Sequence, residues 1–202
     1  MDNRFDLSQM ASELASVLES GSTKQLPLEQ WSPNDCGFLP LLIDHEGQWW
    51  STDDIDNPSP YRRPKLVKLL SQLLWCEPGD IKPGSKGNYS LRTPHESVKI
   101  VVEDVPFIVV DYKWSDDKAE IICTTQVGEQ FSIGEKHPIM CSTQAPFLPY
   151  ALVRRNLWAR FNRNSYYRLV NELLSQNNTE ATSTLSVTSQ GKTFVIAGDI
   201  HE

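Results

Sequence analysis

Apolar residues recur at intervals of three and four positions in three stretches of the chain, which is the period of an amphipathic helix. They predict helices over residues 7–19, from Pro64 to about residue 77, and over residues 152–175. Pro64 marks a helix start because the amide hydrogen that proline lacks would have no intrahelical partner at the first position. The sequence therefore predicts one helix near each end and one in the middle.

Short apolar runs bounded by Gly, Pro or charged turns lie between these helices and after the last of them, and they predict strands. Residues 38–43 and 48–51 flank an Asp-His-Glu-Gly turn and predict a hairpin, and residues 184–188 and 193–197 predict a second one. A short strand is predicted over residues 89–92. Five further runs follow, at 98–103, 107–114, 119–126, 130–133 and 139–143. Their spacing of 8–12 residues is typical of a meander or small barrel and not of βαβ units.

Composition places the chain among globular proteins. It has 202 residues, of which 39% are hydrophobic, enough for one large domain or two small ones. No apolar run approaches the ~20 residues that cross a bilayer, and residues 1–6 do not resemble a secretory signal, so we expect a cytoplasmic protein. The four cysteines form no C-x-x-C pair, which predicts free thiols and no structural zinc site.

The net charge of −7 is distributed unevenly along the chain. Residues 1–60 carry −9, residues 61–100 carry +5, residues 101–149 carry −5 and residues 150–202 carry +2. An acidic segment followed by a basic one thus occurs twice, which is consistent with a duplication. The negative total argues against a nucleic-acid binder but leaves room for a local site that takes a small anion.

Two arginine pairs are the main candidates for such a site. Arg62-Arg63 precede Pro64, and Arg154-Arg155 lie near the start of the last predicted helix. Cations at a helix N-terminus are unfavourable by ~0.3–1 kcal/mol each, so negative groups should offset them. An anionic ligand would do so, since guanidinium groups suit phosphate oxygens. Internal pairing would do so equally, with Asp53, Asp54, Asp56, Glu103 or Asp104 as partners.

Catalytic motifs give little support to an enzyme. The chain has neither a Gly-rich phosphate loop nor a G-x-S-x-G elbow, and its four histidines lack the spacing of a metal-binding helix. Cys36, beside Gly37, would be the best nucleophile, but the sequence shows no neighbouring cation that would activate it. We predict no catalytic residue, no metal and no cofactor.

Several motifs, taken in order, resemble an uncharacterised bacterial family, domain of unknown function 1285. They are Trp31-x-Pro33-x-x-Cys36-Gly37, Gly47-x-Trp49, Ser59-Pro60-x-x-Arg63-x-x-Leu66-Val67, Tyr89-x-Leu91-x-Thr93-Pro94-x-Glu96, Val102-Glu103-Asp104-x-Pro106-Phe107, Gly134-x-x-His137-Pro138 and Arg154-x-x-Leu157-x-Ala159-Arg160. The resemblance implies two related α+β units, the second similar to a pleckstrin-homology-type barrel closed by a C-terminal helix. It also implies a ligand site between the units, for a nucleotide-like molecule, and a role in signalling.

On this basis we expect an α+β protein with four segments. Residues 1–25 form a helix and linker, 26–93 the first unit, 94–176 the second barrel-like unit with its long helix, and 177–202 a polar linker and terminal hairpin.

The leading hypothesis is a non-enzymatic ligand-binding or sensor protein that holds a small anionic, nucleotide-like or phosphorylated molecule between its two units. The residues expected at the site are Arg63, Arg154 and Arg160 for anionic oxygens, Glu103 or Asp104 to orient them, Trp49 or Tyr89 for stacking, and Cys36. The alternative is a protein–protein interaction module with no small-molecule ligand. Neither nucleic acid nor a membrane is an expected partner.

Overall fold

The computed structural model describes residues 26–77, 87–142, 147–176 and 184–198. The helix predicted over residues 7–19 lies outside these ranges. The described residues fall into two compact units, the first ending at Glu103 and the second beginning at Asp104. Within the described ranges, no helix is long and apolar enough to cross a lipid bilayer.

The first unit is a six-stranded sheet with one α-helix. A 3₁₀ turn at Leu28–Gln30 precedes the sheet. The strands are β1 (Asn34–Ile43), β2 (Trp49–Ser51), β3 (Ser59–Pro60), β4 (Leu74–Cys76), β5 (Tyr89–Arg92) and β6 (Glu96–Val102), and the helix α1 (Pro64–Gln72) lies between β3 and β4 in the chain. The strand order is β3-β2-β1-β6-β5-β4. The central pair β1 and β6 is parallel, and every other neighbouring pair is antiparallel.

Alternation along β6 shows why one face of this sheet is the core. Val98, Ile100 and Val102 are buried, whereas Lys99 and Val101 between them are exposed. Successive side chains of a strand point to opposite faces, so the buried set forms the inner face. The outer face therefore carries the exposed Lys99 and Val101.

The second unit is also a six-stranded sheet, with a helix and a hairpin at the end of the chain. Its strands are β7 (Phe107–Trp114), β8 (Ile121–Thr125), β9 (Gln130–Ser132), β10 (Ile139–Cys141), β11 (Pro149–Arg154) and β12 (Leu157–Phe161), followed by α2 (Arg163–Gln176) and the hairpin β13 (Thr184–Ser189) and β14 (Lys192–Gly198). The order is β10-β11-β12-β7-β8-β9, with β12 and β7 parallel at the centre.

The two sheets share one topology. In each, the first strand lies in the centre, parallel to the sixth, and two three-stranded meanders extend outward from this pair. The protein thus contains two related domains, as the family resemblance implied, and the repeated charge pattern is consistent with this. The expected pleckstrin-homology-type barrel is not confirmed, because the described strands of the second unit form an open order with β9 and β10 at its two edges.

The helix predicted over residues 152–175 is wrong in its first half. Residues 149–161 form the hairpin β11–β12, and α2 begins only at Arg163. The strands join through Arg155 and Asn156, and Arg155 has the positive φ of 50° that two-residue hairpin turns favour. The pair Arg154-Arg155 therefore does not lie at a helix start.

Candidate functional site

Arg154, one of the predicted ligand-binding residues, ends β11 inside the second unit. Its side chain is only 6% exposed, and its Nε donates a hydrogen bond to Glu129 Oε1 at 2.9 Å. The guanidinium carbon lies 5.2 Å from the centre of the Phe107 ring. Burial lowers the pKa of Arg154, and the charge of Glu129 opposes that change. Arg154 is thus paired within its own unit.

Arg160 and Asp104 come together with Tyr150, also in the second unit. Arg160 Nε lies 3.6 Å from Asp104 Oδ2, and the two side chains are 9% and 8% exposed. The Tyr150 hydroxyl donates to both oxygens of Asp104 at 3.2 Å, and Tyr150 faces Arg160 across the β11–β12 pair. Burial raises the pKa of Tyr150 to about 12, and the charge of Asp104 adds to this, so the hydroxyl remains a donor at neutral pH. The sequence left two kinds of partner open for the predicted arginines, an internal carboxylate or an anionic ligand, and Arg160 has an internal carboxylate.

Arg63 and Glu103 belong to the first unit and have different surroundings. Arg63 directly precedes α1 and is exposed, with no ion pair to any carboxylate of the described residues. Glu103 Oε2 accepts a hydrogen bond from the backbone N–H of His45 at 3.0 Å and lies 3.5 Å from His45 Nε2. The structure therefore pairs Glu103 with a histidine and not with one of the predicted arginines.

The predicted aromatic residues lie in the core of the first unit. Trp49 is 1% exposed and Tyr89 is 2% exposed, so neither ring offers a solvent-facing surface for stacking. Cys36 is exposed on β1, where its thiol approaches the carbonyl oxygen of Asn34 at 3.6 Å.

A concave surface on the second unit, which the sequence reasoning missed, has a volume of about 480 Å³. We call it the Tyr112 cleft. It is lined by three residues of β7 and four of α2: Tyr112, Lys113, Trp114, Arg168, Asn171, Glu172 and Ser175. The strand period of two places Tyr112 and Trp114 on one face and turns the side chain of Lys113 away from them, so Lys113 contributes only to the edge of the cleft. The helix period brings residues 168, 171, 172 and 175 to one side of α2.

Most charged groups of the Tyr112 cleft are matched within the protein. The Tyr112 hydroxyl donates to Glu172 Oε2 at 2.7 Å. Arg168 Nη2 donates to Asp111 Oδ1 at 2.5 Å and to the Tyr112 carbonyl oxygen at 2.7 Å, and its guanidinium lies 4.2 Å from the Tyr112 ring centre. Arg168 thereby holds the pKa of Asp111 below its usual value. Burial, with Glu172, raises the pKa of Tyr112 to about 12.

Two donors in the Tyr112 cleft remain unmatched. Lys113 is exposed and forms no ion pair with the residues that the structure describes. Trp114 Nε1 is buried and has no acceptor among the same residues. A buried donor without an acceptor is unfavourable, and such groups often mark the place of a water, ion or ligand. The cleft can therefore accept a ligand that brings hydrogen-bond acceptors and negative charge.

Sequence profiles of known families match both units. "Domain of unknown function (DUF1285), N-terminal domain" matches residues 26–105, and "Protein of unknown function (DUF1285), C-terminal domain" matches residues 106–196. The chain belongs to the DUF1285 family. This confirms the family that the sequence motifs predicted. A comparison with curated proteins finds none that matches.

Two solved structures of DUF1285 family proteins are similar to this chain. One, from Silicibacter pomeroyi DSS-3, is 28% identical with a TM-score of 0.72, and the match covers 92% of this chain and 94% of that one. The other, from Shewanella baltica OS155, is 24% identical with a TM-score of 0.51, covering 69% of this chain and 98% of that one. The second likeness concerns the fold alone.

Proposed function

We propose that this DUF1285 protein binds a small anionic molecule without transforming it, and that the Tyr112 cleft of the second unit holds that molecule. The observation that carries the proposal is the set of unmatched groups. In a cleft whose other charges are paired, Lys113 and Trp114 Nε1 are donors without acceptors in the described part of the chain.

The chemistry of the walls favours a ligand with both a ring and a negative group. Lys113 lies at the edge of the cleft, and its flexible side chain suits contact between the ammonium group and a phosphate or carboxylate. Trp114 offers aromatic surface beside it. A volume of about 480 Å³ is comparable with that of small-molecule sites, roughly 300–1,000 Å³, but the cleft is open to solvent over much of its extent, so a bound ligand would be buried on one side only. A mononucleotide has an aromatic base, a negative phosphate group and a suitable size. It therefore agrees with the nucleotide-like ligand implied by the family resemblance.

Binding without chemistry is proposed because the cleft's acidic and hydroxyl groups are committed to each other. Glu172 accepts the hydrogen of Tyr112, and the raised pKa of Tyr112 keeps that phenol protonated at neutral pH. Neither group is then poised as a base or nucleophile. In this proposal, the signalling role that the family resemblance implies begins with occupancy of this cleft.

The arginines expected from the sequence take different places in the proposal. We assign Arg154 and Arg160 to the internal stability of the second unit, since each lies buried beside a carboxylate. Arg63 is exposed and remains a candidate contact for anionic oxygens. Arg63→Ala should leave the melting temperature of the free protein unchanged, because substitutions at exposed sites usually change stability by at most ~0.5 kcal/mol. A smaller nucleotide-induced rise in the melting temperature of this variant would place Arg63 at a ligand site.

The test of the cleft is a calorimetric titration of the full chain with AMP, GMP, UMP and inorganic phosphate. The variants are Lys113→Gln and Trp114→Phe, and the matched control is Lys136→Gln, which removes an exposed charge elsewhere in the second unit. Binding should weaken about tenfold or more in Lys113→Gln, the loss expected for a charge-assisted contact, and should be unchanged in Lys136→Gln. Equal affinities in the two lysine variants would overturn the proposal. Absence of binding by every probe would also overturn it, and would favour the protein–protein interaction module.

A further inference from the structure

Arg92 lies in the first unit, and its surroundings differ from those of the second-unit arginines that form ion pairs with carboxylates. It ends β5 and is partly buried, with its guanidinium carbon 4.4 Å from the centre of the Trp75 ring. Trp75, on the neighbouring strand β4, is 8% exposed. The register pairs Trp75 with Ser90, so Arg92 is its diagonal neighbour on the same face of the sheet. The two side chains thus form a stacked pair fixed by the β4–β5 ladder.

Both members of this pair carry a buried donor without an acceptor. Arg92 Nε and Trp75 Nε1 are each inaccessible to solvent, and neither has a hydrogen-bond partner among the described residues. Nor does Arg92 form an ion pair with any carboxylate in those ranges. By contrast, the arginines at 154, 160 and 168 each lie beside a glutamate or aspartate.

The neighbouring charges do not supply the missing partner. Lys99 on β6 lies 2.9 Å from Asp35, so these two charges neutralise each other. Asp35 is therefore engaged by Lys99 and not by Arg92. Ser97 is the cross-strand partner of Arg92 in the β5–β6 pair, which places a hydroxyl-bearing residue next to it on the same face.

The contact with the Trp75 ring explains where the Arg92 guanidinium lies, but it supplies no acceptor for the guanidinium N–H groups. A ring below the guanidinium plane attracts its charge, while the N–H groups point outward within that plane. Two neighbouring N–H groups of a guanidinium can donate in parallel to the two oxygens of a carboxylate or a phosphate. We propose that Arg92, held in place by Trp75, forms an anion-binding site in the first unit, separate from the Tyr112 cleft, where the terminal N–H groups of the partly exposed guanidinium take an oxyanion group of a ligand.

Arg92 was not among the residues singled out from the sequence, although it lies within the motif Tyr89-x-Leu91-x-Thr93-Pro94. What identifies it is that this partly buried cation forms no ion pair with a carboxylate in the part of the chain that the structure describes. The spacing of residues in the sequence does not show that Arg92 lies over Trp75, because this contact depends on the pairing of β4 with β5.

The experiment is an NMR titration of the full chain with acetate and, separately, inorganic phosphate at constant ionic strength. The signals followed are the arginine Nε–H and tryptophan indole N–H resonances, assigned by their loss in Arg92→Lys and Trp75→Phe. The Arg92 and Trp75 resonances should shift together along one saturable curve. The Nε–H signal of Arg154, which is bonded to Glu129, should not move and serves as the internal control.

Variants separate this site from a structural role and from the Tyr112 cleft. Arg92→Lys keeps the positive charge but lacks the paired N–H donors of a guanidinium, so this variant should bind acetate about tenfold or more weakly. Lys136→Gln, which removes an exposed charge in the second unit, is the control and should bind acetate as the wild type does. Arg92→Lys should retain the nucleotide affinity of the Tyr112 cleft. Shifts that do not saturate, shifts equal to those with chloride, or unchanged affinity in Arg92→Lys would each overturn the proposal.

Discussion

The hydroxyl of Ser189 accepts a hydrogen bond from the backbone N–H of Ile121, with 2.9 Å between the two atoms, and donates one to the carbonyl oxygen of Ile133 at 2.7 Å. Ser189 ends β13 and is fully buried. One side chain therefore fastens the terminal hairpin to two backbone groups of the second sheet that would otherwise lack partners.

Ser189→Ala should lower the free energy of unfolding of the protein by about 1–3 kcal/mol, because it leaves a buried donor and a buried acceptor unsatisfied. Urea denaturation followed by circular dichroism measures this. Ser186→Ala, on the same strand at an exposed position, is the control and should change stability by less than ~0.5 kcal/mol. Equal effects of the two substitutions would show that the hairpin is not held by Ser189.

Arg160→Met should destabilise the protein by about 3 kcal/mol or more, because it leaves the Asp104 carboxylate buried without its cation. The double variant Arg160→Met, Asp104→Asn should recover part of this loss, since the remaining neutral amide still accepts from Tyr150. Denaturant unfolding of the two single variants and the double variant gives the coupling energy. Additive losses would mean that the two side chains do not stabilise each other.

The strands of the second unit show what the sequence pattern could and could not predict. β7 was predicted at its observed bounds because apolar runs and turn residues delimit it on both sides. β12 was missed because all five of its residues are buried, so it has no alternation to distinguish it from a helix. Trp158 lies by coincidence at a helical spacing from the apolar residues of α2, and this extended the predicted helix back into β12.

The candidate sites depended still more on tertiary packing. Acidic partners for the arginines were foreseen as one alternative, and Asp104 was among those named. Trp49 and Tyr89 could not be recognised as core residues, since an aromatic side chain serves equally in a core and a binding site. Tyr112 and Arg168 are far apart in the chain and meet only because α2 packs on β7. No local motif reports such a contact.

Tyr112 should make the stability of the protein fall at alkaline pH. Its pKa in the folded state is raised to about 12, above the value near 10 of an unfolded chain. Its contribution is therefore fully present below about pH 10 and is lost as the pH rises toward 12, when the unfolded state releases the proton more readily. Unfolding free energies measured between pH 9 and 11.5 should decline less steeply in Tyr112→Phe than in the wild type. Tyr167→Phe, an exposed control, should follow the wild-type curve.

The four thiols should differ in their reactivity toward iodoacetamide. Cys36 is exposed, whereas burial raises the pKa values of Cys76, Cys123 and Cys141 to about 11, 12 and 11. Because the thiolate is the reactive form, the folded protein at pH 7.5 should be alkylated first at Cys36, and all four cysteines should react in denaturant. Mass spectrometry of tryptic peptides over time measures each rate. Modification of Cys36 at the rate of an unactivated thiol would speak against a catalytic nucleophile, whereas a rate about a hundredfold faster would reopen the enzyme hypothesis.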